Sequence, residues 1–140
     1  MSRLRTLAHA MKARIEEIPD LAGSVVVFHR SNVETEFEKR MAKTRGRCVV
    51  IRLIRGKNQT RDKVKPRFRG TYSVTLFTVP VLTQKDANNS DALMELIVGK
   101  LHGWWPAAVP SNGSIWLDCD SITYPEDTEY DVSVLTVETP

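Results

Sequence analysis

Apolar and polar residues alternate along Thr71–Thr83, with Tyr72, Val74 and Leu76 on one side and Ser73, Thr75, Phe77 and Val79 on the other. A period of two predicts a strand, and Pro80 removes a ladder donor, so the strand ends there or lies at an edge. After the polar loop 84–89, Leu93, Leu96, Ile97, Leu101 and Trp104 recur at near-helical spacing. That spacing predicts a helix over Ser90–His102 with these residues on its buried face. Ser90 or Asn89 caps it, and Gly103 and Pro106 end it.

The rest of the chain divides by the same periods. Leu4, Leu7, Ala8, Met11, Ile15 and Ile18 form the apolar stripe of a helix over residues 2–18, stopped by Pro19. Ser24–Phe28 is short and β-branched, which predicts a strand in the sheet interior. Across 31–43, Ser31 and Glu34 have capping-box spacing and Val33, Phe37 and Met41 recur every four residues, which predicts a short, polar helix. Cys48–Arg55 is a nearly continuous apolar run, expected to be a strand buried on both faces at its start. The connection Gly56–Gly70 reads as a mobile arm at the tip of a hairpin. Ile115–Tyr124 and Tyr130–Glu138 form a final hairpin, with Ile115, Leu117, Cys119, Tyr130, Val132 and Val134 expected inward. The fold class is α+β: a mostly antiparallel mixed sheet of about five strands packed by two main helices, with a long basic β-hairpin arm.

A chain of 140 residues, 41% hydrophobic, fits a single domain, 1–140, with one core. Its apolar runs are far shorter than the ~20 residues a membrane span needs. The basic residues scattered through Met1–Ile18 do not make a leader, so a cytoplasmic protein is expected. Cys48 and Cys119 fall inside predicted strands and read as small buried hydrophobes in a reducing compartment.

Charge sharpens the picture more than composition does. All 20 Lys and Arg lie within residues 1–100, beside 10 acids, whereas residues 101–140 hold 7 acids and neither Lys nor Arg. The net charge of +3 is thus a basic part set against an acidic part. Such a split fits a nucleic-acid partner for the basic part, or a second copy that meets the first head to tail.

Candidate chemistry is sparse. His9, His29 and His102 are far apart and lack metal-ligand spacing, so each reads as a surface or capping residue. Asp118 and Asp120 share one face of a strand and could hold Mg²⁺ or act as acid and base, but no third ligand stands near them in sequence. A negative rim that meets another protomer is the stronger reading. Gly56-Lys57-Asn58 is not the end of a phosphate loop, because Ile51 stands where that loop needs glycine. Nothing in the chain has the spacing of a nucleophilic triad or a dinucleotide fingerprint. The arm carries Lys57, Arg61, Lys63, Lys65, Arg67 and Arg69 against Asp62 alone, with Phe68 able to stack on a base. Trp104 sits at a core position, and its neighbour Trp105 faces elsewhere, as an exposed interface anchor would.

The run Tyr72-Ser-Val-Thr-Leu-Phe-Thr-Val-Pro-Val-Leu, followed by Asp91-Ala-Leu-Met-Glu-Leu-Ile-Val-Gly-Lys-Leu-His-Gly-Trp-Trp-Pro106, resembles small tail proteins of long-tailed bacteriophages and prophages. In particular it is similar to the tail-terminator or tail-completion group, including its Mu-like members. The opening helix with Leu4, Leu7 and Ile15, the segment Ile18-Pro-Asp-Leu21, the basic hairpin and the acidic last strands agree with that pattern. The resemblance covers most of the chain in element order and residues 72–106 in sequence.

It implies a structural protein without catalytic residues or cofactors. Members of the group form rings, commonly hexamers, that cap the tail tube and face the head connector. The expected location is the cytoplasm during assembly and then the virion tail. The group has no fixed contact motif, so the contact candidates come from this chain's own charges and aromatics: Lys57, Arg61, Lys63, Lys65, Arg67, Phe68, Arg69, Trp105, Asp118, Asp120 and Asp131. A basic loop facing a tube lumen would also tolerate non-specific contact with DNA. The alternative is a small nucleic-acid-binding protein that uses the basic residues 55–69; a Mg²⁺-dependent enzyme at Asp118 and Asp120 is the weakest reading.

Overall fold

The computed structural model describes residues 3–28, 37, 46–58, 68–79, 90–107, 109, 116–127 and 129–139. Helix α1 (Arg3–Ile15) is followed by a 3-10 turn (Pro19–Leu21) and strands β1 (Val25–Val27), β2 (Arg47–Asn58) and β3 (Phe68–Thr78). Then come α2 (Ser90–Leu101), β4 (Asp118–Thr123) and β5 (Asp131–Glu138). One five-stranded sheet has the order β1-β2-β3-β5-β4. Among the described residues, only the β1–β2 pair is parallel. This is the α+β layout that the hydrophobic pattern predicts.

Both helices pack on one face of the sheet. Leu7, Met11 and Ile15 of α1 and Leu93, Met94, Ile97 and Leu101 of α2 meet Val49, Ile51, Tyr72, Val74, Leu76, Leu135 and Val137 in one core. The alternation along β3 is as expected, with Tyr72, Val74 and Leu76 buried. The phase of β5 is not. Ser133, Leu135 and Val137 face the helices, whereas Val132 and Val134 are half-buried on the other side. The register explains it: Leu135 pairs with Val74 and Val137 with Tyr72, so their side chains share the helix-covered face. Val132 pairs with Phe77 on the opposite face, where Tyr130 and Phe37 meet the Phe77 ring edge-on.

Three further expectations are corrected. β1 lies at an edge of the sheet rather than in its interior. Leu96 is 45% exposed, and Met94 takes the buried place beside Leu93. β2 and β3 run on into the arm, so Gly56–Asn58 and Phe68–Gly70 are paired strand rather than loop. The cap position Asn89 and the tip of the arm, 59–67, lie outside the described residues, as does the expected helix at 31–43 except for Phe37, which is helical.

The end of α2 delivers the chain to β4. Arg14 donates from Nε to the Lys100 carbonyl, and its guanidinium lies 5.3 Å from the centre of the Trp104 ring. A cation is favourable at that negative helix end. Gly103 has φ +75° and donates its N–H to Leu117, while Leu117 donates to Trp104. A Cβ at Gly103 would meet nothing within 4 Å, so a side chain there is opposed by backbone strain alone. Gly103→Ala is expected to lower unfolding stability by ~1–2 kcal/mol in chemical denaturation, the usual cost of the left-handed region for a residue with a Cβ.

Candidate functional site

β4 is the free-standing edge of the sheet beside β5. Its register slips between Cys119 and Ser121, leaving Asp120 as the extra residue of a bulge. Asp118 pairs across the sheet with Glu138. Carboxylate oxygens of Asp118, Asp120 and Glu138 all lie within 4.8 Å of one another. Sequence spacing identified the first two acids and missed Glu138, because strand pairing alone brings it there.

The surroundings of this acidic cluster are specific. Arg69 reaches Glu138 at 3.8 Å and donates from Nε to the Thr139 carbonyl at 2.6 Å. Thr139 and Gly70 exchange hydrogen bonds, fixing the base of the arm to the end of β5. His102 Nδ1 accepts the Cys119 N–H at 3.1 Å. That nitrogen therefore carries no proton of its own, and its 3.8 Å separation from Asp118 is not a charge-assisted bond through Nδ1. Burial, with the adjacent Asp118 charge, pushes the Cys119 thiol up to about 11, which keeps it an unreactive thiol at neutral pH.

A hard cation accepts carboxylate oxygens, so the three acids have the right donor chemistry for one. Asp118 and Asp120 are exposed, however, and Glu138 already faces the Arg69 guanidinium. Titration with Mg²⁺ is expected to show no saturable spectroscopic or thermal change that Asp118→Asn with Asp120→Asn removes. A saturable change abolished by that double substitution would establish the site as a metal centre.

The other sequence candidates separate from this cluster. Asp131 opens β5 at the end opposite Glu138, beside the turn that carries Glu126, Asp127 and Glu129. The acidic C-terminal part is thus two patches at the two ends of β5, not one rim. Asp127 Oδ1 accepts the N–H groups of Glu129 and Tyr130, which holds that turn. Lys57 and Arg69 sit opposite each other in the arm. Phe68 pairs with Asn58 in the same ladder. Arg61, Lys63, Lys65 and Arg67 lie outside the described residues.

Trp105 is not the exposed anchor its position suggests. It is half-buried against the core, donates from Nε1 to the Val109 carbonyl and has Arg3 5.5 Å above its ring. Among the described residues, the exposed large apolar ones are Ile54, Trp116 and Tyr124, at 56%, 54% and 62%, besides Leu96. Tyr124 follows β4 directly and Trp116 stands two residues before it, and Ile54 is the bulged residue of β2. The outward place of Trp116 was readable from the sequence, because inward Leu117 and Cys119 leave it on the wrong side of the connector. No helix among the described residues is long and apolar enough to cross a membrane. No protein-family model matches the chain, and no curated protein matches it.

Proposed function

We propose that this chain is a structural subunit of a phage or prophage tail, a terminator or completion protein that assembles into a ring on the tail tube and faces the head connector. The observation that carries this reading is the placement of the charge split. Exposed Arg55 and Lys57 project on the arm of β2, whereas Asp118 and Asp120 lie on β4, separated from β2 by β3 and β5. Two unlike patches on one chain make a heterologous contact, and a heterologous contact closes into a ring when its rotation divides a full turn. The similarity of residues 72–106 to the tail-terminator group supports the same role and suggests a hexamer.

On this reading the protein is not an enzyme and takes no cofactor. It assembles in the cytoplasm and ends in the virion tail. The second reading, a nucleic-acid binder, draws on Arg55, Lys57 and Arg69 clustering on one hairpin.

Sedimentation across protein concentration and salt, with and without short duplex DNA, distinguishes the two. The ring reading expects a defined oligomer that forms without DNA and weakens as salt rises, since charges farther apart than ~10 Å are screened near 0.1 M. A monomer at every concentration that shifts only on adding DNA would replace it with the nucleic-acid reading.

A further inference from the structure

Resting on the ring reading, we propose that the protomer contact is made by Arg55 and Lys57 of the β2 arm seating on the Asp118, Asp120 and Glu138 cluster of a second copy. The pairing across the sheet gives the geometry. Asp118 lies opposite Glu138, Glu138 opposite Thr71, and Thr71 opposite Arg55. One hydrogen-bonded row thus carries acid at the β4 edge and base at β2. A closed ring has no rise along its axis, so with the axis along the strands each row of one copy continues into the same row of the next. Arg55 then arrives at the neighbour's Asp118.

The strand directions agree with this. β1 and β2 run together, β3 runs against them, β5 runs with them, and β4 runs against them. Rotation about an axis along the strands preserves direction, so β4 of one copy lies antiparallel to β2 of the next. β1 covers β2 only at Val49–Ile51, and Phe28 donates to Ile51. Among the described residues no strand flanks β2 beyond that point on that side, which leaves Arg55 and Lys57 accessible.

The contact is through side chains, not a continued ladder. Both edges carry a bulge, on opposite sides of the row Leu53–Tyr72–Val137–Cys119: Ile54 in β2 and Asp120 in β4. Bulges disrupt strand pairing, and His102 already takes the Cys119 N–H. Trp116 and Tyr124 at the two ends of β4, with Ile54 beside Arg55, supply exposed apolar surface at which such a contact excludes water. Arg69 only partly balances the acids, since it faces Glu138 and leaves Asp118 and Asp120 without a guanidinium.

The test is a charge exchange read by sedimentation. Arg55→Glu with Lys57→Glu, and separately Asp118→Lys with Asp120→Lys, are each expected to weaken self-association by roughly 100-fold or more, because each sets like charges together. Mixing the two variants is expected to restore assembly, because in an alternating ring every arm then meets an edge of opposite sign. Melting midpoints within a few degrees of the wild type show that each variant is folded. For a variant that fails to fold, Arg55→Gln with Lys57→Gln, or Asp118→Asn with Asp120→Asn, replaces it in the unmixed measurement alone, where a smaller loss of self-association is expected and no loss overturns the contact. If both exchanged variants assemble as the wild type does, this contact is wrong while the ring stands. Loss without recovery on mixing also overturns the pairing. If the wild type is a monomer throughout, both readings fall.

Discussion

Ile97→Ala is expected to lower unfolding stability by ~2–5 kcal/mol, the range for a buried aliphatic side chain that leaves a cavity. Leu96→Ala, at the next position, is expected to change it by less than about 0.5 kcal/mol. Ile97 is fully buried between α2 and the sheet, whereas Leu96 is 45% exposed. The apolar spacing Leu93, Leu96, Ile97, Leu101 admits both residues to one stripe, because Leu96 and Ile97, though a full residue step apart, lie on either side of Leu93 at i+3 and i+4. The sheet decides between them. Leu93, Met94, Ile97 and Leu101 define the buried arc, with Met94 on the far side from Leu96. Urea denaturation of both variants against the wild type measures the contrast. Similar losses from the two substitutions would put Leu96 in a covered position and rotate the helix from its observed phase.

That single rotation illustrates what sequence patterning reveals here. Elements with strong periods, α1, β2, β3 and α2, were legible, and so was the α+β class. Where the pattern is ambiguous, long-range pairing settles the phase. Tyr130, Val132 and Val134 alternate as well as Ser133, Leu135 and Val137 do, and apolar content favours the first set. The register with β3 nevertheless turns the second set to the helices, burying a serine with them. The candidate site shows the same division. Asp118 and Asp120 were visible as a local pair, but Glu138 joins them only through the β4–β5 ladder, and His102 reaches the same edge only because Gly103 turns the chain back. Trp105 looked available because its helical neighbour filled a core place. Its indole instead closes onto Val109, a contact made after the helix has ended.

Tyr72→Ala is expected to cost ~3–5 kcal/mol, the range for removing a buried aromatic ring, and Tyr72→Phe about 1 kcal/mol, the usual worth of one hydrogen bond. Tyr72 is the bulkiest fully buried side chain among the described residues, and its hydroxyl donates to the Leu4 carbonyl of α1. Gly70 lets them approach closely, since a Cβ there would stand 2.9 Å from Leu4 Cδ2 and 3.1 Å from Tyr72 Cε2. Burial raises the phenol well above its ordinary value of 10.0, outweighing the opposing pull of Arg3. The phenolate is the disfavoured form in the fold, so the unfolded chain releases this proton first. The stability that follows is complete below about pH 10 and is lost as pH climbs through the higher folded value. Tyr72→Phe cannot lose a proton there, so its deficit against the wild type should shrink above pH 10. Urea midpoints of the two proteins from pH 7 to 11.5 read the difference. Curves that stay parallel across that range would mean that the hydroxyl titrates as freely in the fold as in the unfolded chain, and that its bond to Leu4 does not shelter it from water.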